Sequence, residues 1–186
     1  MSKPEARIYL DTEYCYPGMS ELSGRPTSAD KRQIVQIAAI RFLVNDSTEV
    51  ASFDQLVIPV FEPRVAPFFE TLTGITQAEI NQYGIPFIEA AEQFRQFCQD
   101  TPIWTFDKDQ EVFEQNYGYV GIRSPFTQDF VRVKALLPNL GIDPDAYSSG
   151  TLYKAAGLKM EGHVHNALHD VRSMAAAIAV LERRQF

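Results

Sequence analysis

The chain has 186 residues, 45% hydrophobic and 22% charged, and its 17 Lys+Arg against 24 Asp+Glu give a formal net charge of −7. This composition excludes a disordered tail, and its acidity argues against a protein that coats nucleic acid through a broad basic surface. It leaves open an enzyme that holds phosphodiesters through divalent cations, which bring their own positive charge. No apolar run reaches the roughly 18 residues of a membrane span. The first seven residues lack the apolar stretch of a secretory leader. Two cysteines, Cys15 and Cys98, supply neither a disulfide framework nor a four-thiolate zinc site. A reduced, cytoplasmic protein with no membrane partner is expected.

Arg7 to Leu10 reads as a short buried strand ending at Asp11. Residues 14–33, punctuated by Pro17, Gly18, Gly24 and Pro26, read as a long loop that shapes substrate entry. Gln33 to Leu43 is apolar and β-branched enough for a second strand. A turn at Asn45-Asp46-Ser47 leads into a third, Ala51 to Pro59, which completes an antiparallel meander. Pro63 and Pro67 break the chain before a helical region. Thr76 and Glu79 stand at capping-box spacing for a short helix to Tyr83. Pro86 to Gln99 is a stronger helix, with Phe87, Ala90, Ala91, Phe94 and Cys98 on one stripe. Pro102 to Phe106 gives a fourth strand, with Trp104 and Phe106 as core residues, and a helix follows from about Asp107. Phe130 to Val133 gives a fifth strand running into a helix through Leu137. The last helix spans about Asn166 to Arg184. No repeat or linker divides the chain, so 1–186 is read as a single domain. Its class is α/β, a mixed sheet of about five strands covered by helices on both faces.

The acids gather in three places. Asp11 and Glu13 share one face of the first strand where it leaves the apolar core. Two adjacent carboxylates repel unless a cation is shared, although taken alone the pair is better read as two solvated acids at a strand end. Asp107, three residues before Gln110, has capping-box spacing and is expected to cap the middle helix. Asp109, preceding Val112 and Phe113, falls over the helix's inward face and is the better metal ligand of the two. All three histidines fall between His163 and His169, next to Asp170. His165 and His169 have zinc-protease spacing, but Asn166 replaces the required Glu. His163 and His169 are read as surface histidines. His165, at the entrance to the last helix, and Asp170, one turn inside it, can face one pocket as base and metal carboxylate. Thr12 and Tyr14 flank the first acids and can touch a terminal nucleotide, though Tyr14 is equally an ordinary loop aromatic.

In order, Asp-x-Glu at the first strand, an Asp opening a middle helix and His-x4-Asp before the last helix resemble the DEDDh 3′–5′ exonucleases of the ribonuclease H-like superfamily. Phe69 to Gln77, containing Leu72-Thr73-Gly74-Ile75-Thr76, is similar to that family's LTGIT segment. Gly157 to His165, with Asp170-Val171-Arg172, resembles the GLxxxGxxH segment of its histone-mRNA and small-RNA trimming branch. The resemblance covers nearly the whole chain. It implies a ribonuclease H-like fold that releases nucleoside monophosphates from the 3′ end of single-stranded RNA or short oligonucleotides, with two Mg²⁺ or Mn²⁺ ions. Asp11, Glu13, Asp109 and Asp170 would be the metal-binding acids, and His165 the general base. Two positions depart from the pattern. Thr12 stands where the branch often has Phe, and the residues before Asp109 lack the His-Asn of DNA-proofreading relatives, which keeps Asp107 as an alternative third acid. A 3′–5′ exodeoxyribonuclease and a non-catalytic nucleic-acid-binding regulator on the same fold are the competing expectations.

Overall fold

A computed structural model of the protein describes residues 5–16 and 31–185; the central part of the expected entry loop, 17–30, lies outside them. The chain runs β1 (Ala6–Cys15), β2 (Gln33–Leu43), β3 (Thr48–Ile58), α1 (Pro67–Thr73), α2 (Gln77–Tyr83), β4 (Ile85–Pro86), α3 (Phe87–Cys98), β5 (Ile103–Thr105), α4 (Asp109–Tyr119), β6 (Phe130–Arg132), α5 (Val133–Leu136) and α6 (Ala167–Arg183), with 3-10 turns at Leu137–Leu140 and Ser149–Lys154. The six strands form one sheet in the order β4-β3-β2-β1-β5-β6. β1, β2 and β3 are antiparallel neighbours, while β5 runs parallel to β1 and β6 to β5. The sheet therefore has one strand more than the sequence suggests. The extra one, β4, is two residues long and carries no periodicity to detect.

Alternation along β1 sorts the core into two layers. Ile8 and Leu10 point into one cluster with Phe87, Phe94, Val112 and Phe113 of α3 and α4. Tyr9 points the other way, into a cluster with Val171, Met174 and Ile178 of α6. β2 is the central strand, buried from Gln33 to Ile40 because both its faces are covered. No helix among the described residues is long and apolar enough to cross a membrane.

The first strand is longer than its apolar core implies. β1 pairs with β2 from Ala6 to Cys15, but with β5 only from Ile8 to Leu10. Residues 11–15 thus border a cleft where parallel pairing has stopped. Pairing with β2 on the other side keeps them extended despite their two charges. A register shift between Glu13 and Tyr14 ends the regular ladder.

Candidate active site

Asp11 and Glu13 have the parity of Tyr9 and emerge on the α6 side of the sheet, whereas Thr12 has the parity of Leu10 and faces α4. All three are buried. Beyond the end of β5's pairing with β1, Thr12 meets the start of α4. Its backbone N–H and its hydroxyl both donate to Asp109 Oδ1, at 3.1 and 2.8 Å. A tertiary partner 97 residues away thus fixes the third acid. Asp107 does not cap α4 as its spacing suggests. The N-cap position is Lys108, with no side-chain cap, and Gln110 donates instead to Glu114. Asp107 still lines the cleft, while Asp109 is the acid buried in it.

The fourth acid, Asp170, lies in the first turn of α6 and is 1% exposed. Its Oδ1 accepts the backbone N–H of His165 at 3.2 Å, and its Oδ2 accepts the Ser149 hydroxyl at 2.9 Å. Gly150 packs directly on this carboxylate. A Cβ there would lie 2.8 Å from Cγ and 2.9 Å from Oδ2 of Asp170. His165 itself has φ +70°, a left-handed conformation that a non-glycine residue adopts only when its surroundings hold it.

Besides the Asp170 carboxylate, the two other histidines anchor the segment around His165. His163 is exposed, as expected, but its Nε2 lies 2.9 Å from the Leu72 carbonyl and its ring packs against Gly74. His169 is buried rather than at the surface. Its Nε2 lies 3.2 Å from the Gly150 carbonyl, and Gly162, at φ +140°, packs on the ring. The loop carrying His165 is therefore tied to the 72–76 segment on one side and to the Ser149–Gly150 turn on the other.

One cleft of about 440 Å³ is lined by Asp11, Glu13, Asp109, His165 and Asp170, together with Thr12 and Tyr14. The ligating atoms of Glu13, His165 and Asp170 lie within 4.8 Å of one another. Phe68 and Leu72 of α1, Tyr16, Ser149 and Phe106 complete the walls. Phe106 is thus a cleft residue as well as a core one, whereas Trp104 packs under the Arg7 guanidinium. Phe68, Tyr16 and Ser149 carry no signal in the sequence, whereas Leu72 belongs to the segment with family resemblance.

Burial raises every carboxyl in the cluster, and repulsion from the neighbouring acids adds to it at Asp11 and Glu13. Asp11 is pushed well above the usual carboxylate range by burial and then by Asp109, Asp170 and Glu13. Glu13 is pushed up to about 9 by burial and then by Asp170 and Asp109. Asp109 rises to about 6 through burial, held back by the Thr12 hydroxyl. Burial also raises Asp170, against the Ser149 hydroxyl and the neighbouring histidines. Among the described residues, the one lysine or arginine lining the cleft is the exposed Lys108. Four buried oxygen donors with no buried cation to neutralise them are the donor set of a hard divalent cation, and the residues fit such an ion.

A mixed sheet of this order, with acids from the exposed end of its first strand and from two helix starts in one cleft, has the architecture of the ribonuclease H-like nucleases. The chain belongs to the RNase T exonuclease family, whose pattern it matches over residues 9–178. Among solved structures it is similar to the nuclease domain of 3′hExo, a DEDDh family member bound to rAMP (14% identity, 98% of this chain and 94% of that one, TM-score 0.84). It is also similar to a 3′-exonuclease recognising the histone mRNA stem-loop (15%, 99% and 84%, TM-score 0.81). A third similar structure is exonuclease X with 5′-overhanging duplex DNA (21%, 96% and 92%, TM-score 0.63). No curated protein matches the sequence significantly.

Proposed function

We propose that this exonuclease removes nucleoside monophosphates from the 3′ end of single-stranded RNA or short oligonucleotides, with residues 1–186 acting as one catalytic domain. The observation that carries the reading is the convergence of Glu13, His165 and Asp170 to within 4.8 Å, in the same cleft as Asp11 and Asp109. Asp11, Glu13, Asp109 and Asp170 would hold two divalent ions, Mg²⁺ or Mn²⁺. Bound there, such ions supply water activation and charge neutralisation at the departing 3′ oxygen. His165 takes the proton of the attacking water, and its backbone N–H bond to Asp170 places the imidazole at the cleft. Thr12 orients Asp109, and Ser149 orients Asp170. Thr12 and Tyr14 border the terminal nucleotide, and the apolar walls from Phe68, Leu72 and Phe106 hold its base out of water.

RNA is favoured over DNA on the resemblance of Gly157 to His165, with Asp170-Val171-Arg172, to the RNA-trimming branch of the family. The test is incubation of 5′-labelled single-stranded RNA and DNA of one sequence with Mg²⁺ or Mn²⁺. A 3′-to-5′ ladder should form, faster on RNA, and vanish with EDTA, in Asp11→Asn and in His165→Ala. A ladder that persists in His165→Ala removes the general-base assignment. Binding without cleavage by the folded, metal-supplied protein overturns the enzymatic reading in favour of a nucleic-acid-binding module.

A further inference from the structure

A line of aromatic rings and cations leads out of the cleft. Tyr14 and Tyr16, both lining it, meet edge to face at 5.7 Å. The Arg32 guanidinium lies over the Tyr14 ring at 5.7 Å. The next residue back, Lys31, places its ammonium over the Phe61 ring at 5.0 Å. Phe61, 45% exposed, packs on Tyr119 at the end of α4, with centroids 4.9 Å apart. Glu62 follows Phe61, so the far end has mixed charge, but Lys31 and Arg32 lie against the rings themselves.

This outer surface is held rigidly. The buried Gln33 side-chain oxygen accepts the backbone N–H groups of Phe61 and Glu62, at 2.6 and 3.2 Å, which fixes the loop carrying the aromatic ring. Asn116, fully buried in α4, donates to the carbonyls of Arg32 and Val112, each at 2.8 Å, and accepts the Ile34 N–H at 3.1 Å. Two amide side chains thus clamp the start of β2, the 61–62 loop and α4 into one unit. Neither contributes to the chemistry of the cleft. A large exposed aromatic on a preorganised backbone, beside cations and continuous with the cleft, suits stacking of successive bases with phosphates alongside.

We infer that Arg32, Lys31, Phe61 and Tyr119 form an outer track that binds the nucleotides upstream of the 3′ end, so that single strands several residues long are held more tightly than dinucleotides. The inference rests on the exonuclease reading and extends it to the strand beyond the cleft.

The experiment compares kcat/KM on a single-stranded 12-mer with that on a dinucleotide, for the wild type, Phe61→Leu, Phe61→Tyr and Lys31→Ala. Stacking at one base is worth about 1–3 kcal/mol, or roughly 5- to 150-fold. The 12-mer-to-dinucleotide ratio should therefore fall about 5-fold or more in Phe61→Leu, through KM, and recover in Phe61→Tyr. Lys31→Ala should reduce the slope of log affinity against log salt for the 12-mer by about 0.7, the share of a single neutralised phosphate. A ratio within 2-fold of wild type in Phe61→Leu, in protein of unchanged Tm, overturns the track. Equal losses in Phe61→Leu and Phe61→Tyr also overturn it, because they mark a packing role. A wild-type protein that degrades neither substrate condemns the exonuclease reading instead.

Discussion

Gly150→Ala tests how the cleft holds its most buried acid. Gly150 has no left-handed φ, so alanine fits the backbone and any effect comes from the added methyl. That methyl would stand 2.8 Å from Asp170 Cγ and 2.9 Å from Oδ2, and closer still to Oδ1. Comfortable carbon–carbon contact begins at about 3.5–4.0 Å. The carboxylate must therefore retreat by about 1 Å, against the Ser149 hydroxyl and the His165 amide that fix its two oxygens. A misplacement of that size at a reacting centre costs on the order of 10²-fold in rate. We expect kcat on a labelled oligonucleotide to fall about 100-fold, with a loss of about 1–3 kcal/mol in stability from overpacking. Gly118→Ala in α4 is the control. No atom lies within 4 Å of the added methyl, so stability should rise by about 0.5–1 kcal/mol with activity unaltered. Activity within 3-fold of wild type in folded Gly150→Ala would refute the argument that Asp170 must stay where Gly150 allows it.

Thr12→Val keeps the shape and the backbone N–H but removes the hydroxyl that donates to Asp109. The Mg²⁺ or Mn²⁺ concentration for half-maximal activity should rise about 10-fold, as for other orienting groups around metal ligands, and an unchanged titration would show that Thr12 orients nothing. Glu13 ionises near 4.5 when unfolded and is pushed up to about 9 when folded and metal-free. The folded chain therefore holds the extra proton, and stability present below pH 4.5 is lost as the pH climbs toward 9, by about 1.4 kcal/mol per unit for each such proton. The metal-free Tm should fall over that window by about 3–6 °C per unit for a chain of this size. Saturating Mg²⁺ or Mn²⁺ should flatten the fall and release protons on binding, measurable by calorimetry in buffers of differing ionisation enthalpy. A Tm independent of pH without metal would contradict the electrostatics. Asn116→Ala removes three hydrogen bonds, two of them fully buried, and should cost about 2–4 kcal/mol in urea unfolding; a loss below about 1 kcal/mol would mean that the clamp is not rigid.

Local pattern made much of this molecule legible. β2 has the ends its apolar run indicates, the Thr76–Glu79 capping box opens α2, and α3 buries its apolar stripe. The four acids and the histidine singled out in the sequence meet in one cleft. The misreadings share a cause, in that each depends on a partner remote in sequence. Asp107 has capping spacing, yet the hydrogen-bonding partner at the start of α4 is Thr12, which engages Asp109. His169 looks like a surface residue because its partner, the Gly150 carbonyl, is 19 positions away. Ser149 and Gly150 lie in an ordinary polar turn whose meaning comes from Asp170 above it. β1 seems to stop at Asp11 because charge normally ends a buried strand, and its continuation depends on pairing with β2.

That last point explains why the acids gather here at all. A six-stranded sheet that paired fully would bury residues 11–15 between two neighbours and leave no room for carboxylates. β5 leaves β1 after Leu10, so the strand keeps one paired edge for rigidity and offers the other to the start of α4. Both remaining helix-borne contributions, Asp170 in the first turn of α6 and the His165 loop before it, approach from the opposite layer, tied down by Ser149, His163 and His169. The scaffold thus brings four acids together through strand pairing and neutral hydrogen-bond donors, and the repulsion that remains is left for protons or cations to relieve. A site built this way should be acid-stabilised when empty and metal-stabilised when active. Raising the pH should then favour loading of the site while weakening the empty fold.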